Sequence, residues 1–146
     1  MLKLVNSEGW LEFIGSRNVR STEDAVQYIE TINNTPDFTY RVVRINNTHV
    51  PIGIVSFLKR SYLDHFDIGF AFLAAYQGNG YGYEAAAGVL AMVTENPRHA
   101  TIFATTVLCN KPSIHLLIKL GFHFYREMEI GTEKLHVYAN NSPNPQ

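Results

Sequence analysis

Most of the features that would announce a chemistry are scarce in this chain. There is one cysteine, Cys109, so no internal disulfide can form and a reducing, cytoplasmic setting fits. Charge is nearly balanced, with 12 Lys and Arg against 13 Asp and Glu. A dedicated nucleic-acid binder would carry a basic stripe, so no nucleic-acid partner is expected. No run nears the roughly 18 apolar residues that a spanning helix needs. The most apolar stretch, Val50–Leu58, is broken by Pro51 and Gly53, so no membrane span is expected. The N-terminus lacks the basic, apolar and small-residue succession of a signal peptide. The histidines at 49, 65, 99, 115, 123 and 136 show no short metal-binding spacing, and no metal is expected.

What is present is an ordinary globular composition, 46% apolar over 146 residues, enough for one domain with its own core. Leu2–Asn6 and Glu8–Ile14 read as short helical pieces. Ser21, with Asp24 three residues on, reads as a capping box with an acid in place of Glu or Gln. Ala25, Tyr28, Ile29 and Ile32 then keep helical spacing, predicting a helix over Thr22–Asn33. Thr39–Ile45 and Val50–Lys59 read as a hairpin, and Asp67–Leu73 as a third strand whose Gly69 predicts a bulge or a close backbone approach. Ala85–Val93 reads as a helix that stops before Pro97. Thr101–Leu108 reads as a buried strand, with Cys109 packed behind it. Asn110 caps a helix that has Pro112 in its first turn and Gly121 at its end. Phe122–Ile130 and Glu133–Ala139 form a second hairpin around Gly131. The order predicts an α+β (mixed α/β) fold over residues 1–139, with a central, mostly antiparallel, twisted sheet flanked by helices. Residues 140–146 are expected to be a disordered tail.

Between the third strand and the helix after it, Tyr76–Glu84 reads Y-Q-G-N-G-Y-G-Y-E, with glycines at 78, 80 and 82. A glycine-rich turn from strand to helix exposes backbone N–H groups at the positive end of a helix dipole, a setting for phosphate. The dinucleotide spacing fails, because Tyr83 stands where the third glycine belongs and no acid ends the next strand. The nucleoside-triphosphate pattern fails too, because no Gly-Lys-Ser/Thr follows.

Gln77-x-x-Gly80-x-Gly82 resembles the Q/R-x-x-G-x-G/A pyrophosphate loop of the GNAT superfamily of N-acetyltransferases. Asp67-Ile-Gly-Phe before it resembles that family's fourth strand, and Asn110-x-x-Ser113 with Leu120-Gly121-Phe122 its N-x-x-S…L-G-F segment. Trp10…Ile14-Gly15-x-Arg17, Ser21-x-Glu23-Asp24-Ala25, Pro51-Ile52-Gly53 and Leu58-Lys59-Arg60 resemble the RimJ/RimL-type branch.

The resemblance implies an acetyl-CoA-dependent N-acetyltransferase moving an acetyl group directly to a primary amine, a protein N-terminus or a small amine, within a ternary complex. Such transfer needs a held donor, a neutral amine and help for the oxyanion. By resemblance the backbone of Gln77, Gly78, Asn79, Gly80, Tyr81 and Gly82 holds the pyrophosphate. Phe70, Ala71, Phe72 and Leu73 pair with the pantetheine arm, one N–H there polarising the thioester carbonyl, and Asn110 and Ser113 contact the arm. Candidates for the base are Asp67, Glu84 and His65. Glu84 would also suit a helix N-terminus, and His65 a solvated loop. Where many members carry a thiolate-protonating Tyr, this chain has Leu117, which leaves the general acid open.

The family's usual first strand is absent, which predicts an exposed edge at Thr39–Ile45 that is either covered or used in a homodimer. The alternative reading is an acyl-CoA-binding protein of the same fold with little catalysis, acting as a sensor or assembly partner. A nicotinamide-dependent oxidoreductase is a more distant one.

Overall fold

Two short helices open the chain, α1 (Leu2–Val5) and α2 (Glu8–Phe13), followed by α3 (Thr22–Asn33). α3 starts at its sequence signal. Ser21 Oγ accepts from the Asp24 N–H at 3.1 Å, and Asp24 Oδ2 reaches back to the Arg20 N–H at 3.0 Å. The two residues thus satisfy donors at the helix start that would otherwise be orphaned.

The computed structural model describes residues 1–141. Six strands form one sheet: β1 (Phe38–Arg44), β2 (Pro51–Leu58), β3 (Asp67–Phe72), β4 (Phe103–Val107), β5 (His123–Ile130) and β6 (Glu133–Ala139). Their order is β1-β2-β3-β4-β6-β5, and only β3 and β4 run parallel. That parallel pair is joined by a crossover through α4 (Tyr81–Val93), as a parallel connection requires. A last helix, α5 (Lys111–Lys119), links β4 to β5.

The helices sit on opposite faces of the sheet. Leu4, Val5, Trp10, Val19 and Ala25 of the N-terminal segment bury against Ile54, with Tyr40 and Ala71 beside it. On the other face, Val55, Phe57, Ile68 and Ala104 pack with Ala86 and Val89 of α4 and Leu117 of α5. Burying a large aliphatic or aromatic side chain contributes about 1.5–3 kcal/mol, so these two clusters anchor the helices that frame the sheet.

Several expectations are corrected. α4 begins at Tyr81 rather than Ala85, because Gly80 adopts φ +84° and serves as the N-cap in place of a side chain. Gly69 makes no bulge, since β2 and β3 keep continuous register; it marks a close approach, where a Cβ would stand 2.7 Å from Ser56 Oγ. Cys109 is exposed, because it lies in the turn after β4 and not in the strand. Asn140 and Asn141 are held in place. Asn140 Oδ1 accepts from the Ile102 N–H at 2.7 Å, and Asn141 Nδ2 donates to the Ala100 carbonyl at 2.6 Å. The remainder of the expected tail, 142–146, lies outside the described residues. β1 is an edge strand of the sheet, with Val42 55% exposed.

Candidate functional site

The sheet is split in its middle. β2 and β3 pair from Leu58↔Asp67 to Gly53↔Phe72, whereas β3 and β4 share only Asp67↔Phe103. Beyond that point they diverge. The Leu73 N–H donates to the Ile52 carbonyl at 2.9 Å, and the Phe66 carbonyl accepts from the Phe103 N–H at 2.9 Å. Alternate residues of a strand aim their backbone groups at opposite neighbours. Asp67, Gly69, Ala71 and Leu73 therefore face β2, and Ile68, Phe70 and Phe72 face the split. Leu73, expected to offer its backbone to a ligand, has its N–H already used and lines neither cavity of the site.

The turn after β3 passes through a short 3-10 segment, Ala74–Tyr76, and reaches Gly78 at φ +79° and Gly80 at φ +84°. These are left-handed conformations that other residues adopt only at a cost. Gln77 Nε2 donates to the Phe72 carbonyl at 3.0 Å and ties the turn to the strand end. Glu84 is the first residue whose N–H bonds back into α4, to the Gly80 carbonyl at 3.0 Å. The N–H groups of Tyr81, Gly82 and Tyr83 precede that first helical bond, at the positive end of a 13-residue helix. A Cβ at Gly78 or Gly80 would meet nothing within 4 Å, so the approach to these amides is open. Gly82 serves differently. A Cβ there would lie 3.3 Å from Leu116 and 3.5 Å from the Phe72 ring, so glycine lets α4, α5 and β3 close together.

Two cavities flank the split. A groove of about 460 Å³ runs past Phe72, Gln77, Gly78, Gly80 and Gly82 towards Tyr83 and Lys119. A second cavity, of about 290 Å³, lies over the start of β3 and is walled by Trp10, Phe13, Tyr40 and Tyr62. Phe70, Ala71, Asn110 and Ser113 line both, so the two join there. Asn110 Oδ1 accepts from the Ser113 N–H at 3.4 Å, capping α5 as its position predicts. Asn79 and Tyr81 line neither cavity; Asn79 Nδ2 donates to the Gln77 carbonyl at 3.3 Å within the turn.

The second cavity holds the site's buried charge. Asp67 is 4% exposed, and its Oδ2 accepts from Arg60 Nε at 3.0 Å. Burial pushes the Asp67 carboxyl above its ordinary value, with Arg60 pulling the other way. Burial works against the Arg60 charge, but Asp67, Tyr62 and Tyr40 beside it leave its value raised. Tyr40 is pushed up to about 12 by burial, with Tyr28 adding to the shift, so at neutral pH it keeps its proton and stays uncharged. Of the three expected bases, Asp67 alone borders the cavity. Glu84 is exposed on α4 and lines neither cavity. His65 precedes β3 with its ring edge-on to Phe103, centroids 5.1 Å apart, and also lines neither. Among the described residues no group of three His, Cys, Asp or Glu side chains could hold a metal, and no helix is long and apolar enough to cross a membrane.

Sequence reasoning did not single out Phe13, Tyr40, Arg60 or Lys119 as site residues. Arg60 was legible in principle. Leu58 pairs with Asp67 across the β2–β3 connection, and a base two residues past one strand end meets an acid at the start of the next.

A model of the family described as acetyltransferase (GNAT) domain matches residues 1–123. No significant relative is found among curated proteins. Among solved structures, a GNAT-family acetyltransferase from Bacillus anthracis superposes with a TM-score of 0.79 at 21% identity, over 95% of this chain and 85% of that one. An aminoglycoside acetyltransferase in complex with coenzyme A gives 0.78 at 16% identity, over 94% and 85%. The ribosomal-protein-S5-alanine acetyltransferase of Vibrio fischeri gives 0.66 at 22%, over 86% and 79%.

Proposed function

The chain belongs to the acetyltransferase (GNAT) domain family, and from that premise we propose that it binds acetyl-CoA in the groove and transfers the acetyl group to a primary amine held in the adjoining cavity. The observation that carries this reading is the split sheet, which leads directly from the helix-start amides to the buried Asp67. The residues fit such a donor. Gly78 and Gly80 leave the amides before α4 open to a pyrophosphate, and the N–H groups of Phe70 and Phe72 face the split, where β3 has no strand partner. When bound, acetyl-CoA supplies an acetyl group activated as a thioester.

The chain's own groups then have distinct tasks. The Phe70 N–H aligns and polarises the thioester carbonyl, and Asn110 and Ser113 hold the arm where the two cavities join. The amine nitrogen bonds the acetyl carbon as the carbon–sulfur bond breaks. The nitrogen loses a proton and the sulfur leaves as thiolate. Asp67, its carboxyl made more basic by burial, takes the proton directly or through one water. Leu117 offers no acid at the position where many relatives carry a tyrosine, so the thiolate takes its proton from solvent.

Two measurements test this. Calorimetry should show binding of CoA and acetyl-CoA, and thiol release should follow when primary amines are added. Failure to bind any CoA species would overturn the proposal. Binding without thiol release over a broad amine panel would leave an acyl-CoA-binding protein of the same fold.

A further inference from the structure

The second cavity carries chemistry that acetyl transfer alone does not require. Its titratable charges are Arg17, Arg60, Asp67 and Glu133, two of each sign. A site for a polycationic acceptor would need an excess of carboxylate. Here the best buried carboxylate is already neutralised, since Asp67 Oδ2 is bound to Arg60 Nε. Arg60 uses only that nitrogen; its two terminal NH₂ groups have no hydrogen-bond partner among the described residues. The guanidinium is about one-third exposed and lines the cavity. A planar fork with two free NH₂ groups, fixed at its root by a buried acid, is suited to gripping a carboxylate. The second oxygen of Asp67, beside that fork, can accept from an ammonium or amine. Four of the other lining residues, Trp10, Phe13, Tyr40 and Tyr62, are aromatic, and the first two continue into the groove.

Resting on the acetyl-transfer reading above, we propose that the acceptor is a free α-amino acid with an apolar side chain, its carboxylate held by Arg60, its amine beside Asp67 and its side chain against the aromatic wall. A peptide N-terminus has a neutral amide where a free amino acid has its carboxylate, and it would leave the Arg60 fork unanswered. A polyamine would set a second cation against Arg60 and Arg17.

Four acceptors separate these cases: L-leucine, L-leucinamide as a stand-in for a peptide N-terminus, 3-methylbutylamine, and spermidine. Their affinities are measured by calorimetry on the CoA-saturated protein, and kcat/KM by thiol release with acetyl-CoA. Leucine should bind and react at least tenfold better than each of the other three, because the charge-assisted fork is lost without the carboxylate. The advantage over leucinamide should fall to within about twofold in Arg60→Gln. Arg60→Lys, which keeps the partner of Asp67 and so guards against misfolding, should retain only part of it. Arg17→Gln should lower the advantage less than Arg60→Gln does, because Arg17 is exposed and its guanidinium is tied to the carbonyls of Gly15 and Ser16.

Equal or better binding of leucinamide or spermidine overturns the assignment, as does a failure of leucine to bind. Loss of the preference in Arg17→Gln with its survival in Arg60→Gln overturns the role of Arg60. If leucine binds with the predicted dependence on Arg60 and no acceptor is acetylated, the binding inference stands and the transfer reading fails.

Discussion

Replacing Gly80 by alanine separates the turn's structural cost from its role in binding. Gly80 sits at φ +84°, where a Cβ costs about 1–2 kcal/mol because it crowds the following carbonyl. The added methyl meets no protein atom within 4 Å, so strain is the whole of the folding penalty. For a chain of 146 residues, that corresponds to a fall in Tm of about 3–7 °C. Gly121, at φ +93° with open space around it, is a matched control, since it ends α5 and lines neither cavity. Gly121→Ala should lower Tm by a similar amount. The two variants should part company in binding. At Gly80 the methyl enters the approach to the amides before α4, and loss of one charge-assisted hydrogen bond there is worth about 1.5–3 kcal/mol. Calorimetry with CoA should therefore show Gly80→Ala weakened more than tenfold and Gly121→Ala within twofold of wild type. Equal affinities for the two variants would refute the anion cradle, and an unchanged Tm in both would refute the strain argument.

Two other perturbations probe the interior. The Asp67 carboxyl has a folded-state value above its unfolded one, so its ionisation disfavours folding, and this contribution to stability declines as pH rises above about 3.8. Asp67→Asn removes the titration, so wild-type Tm minus variant Tm should be larger at pH 4 than at pH 6; a flat difference would show that the carboxyl is not perturbed. Leu117, 1% exposed in the cluster beneath α5, should cost about 2–5 kcal/mol in urea unfolding when changed to alanine. A loss below 1 kcal/mol would mean that α5 is not anchored there.

The parts of this molecule that could be read in advance are those fixed by neighbours in sequence. Ser21 and Asp24 place the start of α3 because a cap and its donor lie three residues apart. Asn110 and Ser113 do the same for α5. The glycine turn was legible because left-handed backbone at Gly78 and Gly80 has few other solutions. Propensity starts α4 four residues late, since glycine is a poor helix former and Gly82 is helical for a packing reason, its closeness to Leu116 and Phe72. The apolar strand before Cys109 argues for a buried thiol, yet one residue of turn is enough to bring it to the surface. The helical part of the second cavity's wall was out of reach. Trp10 and Phe13 come from α2, and only the packing of the N-terminal helices against the sheet brings them to Asp67, whereas Tyr40 and Arg60 arrive through the pairing of β1, β2 and β3.

The single bridge at Asp67↔Phe103 gives the molecule the build of an open book. One leaf is β1–β3 with α4 resting on β2 and β3; the other is β4–β6 with α5 resting on β4. The leaves share one ladder bridge at that corner of the sheet, and they meet again in the core that joins Ile68 to Ala104 and where α4 meets α5. The bare flank of Gly82 against Leu116 is part of the contact between α4 and α5, and so sets how far the pages stand apart. A methyl group at this one position would act as a wedge in the binding of the book, pressing on Leu116 and Phe72, which themselves form part of the gutter's wall.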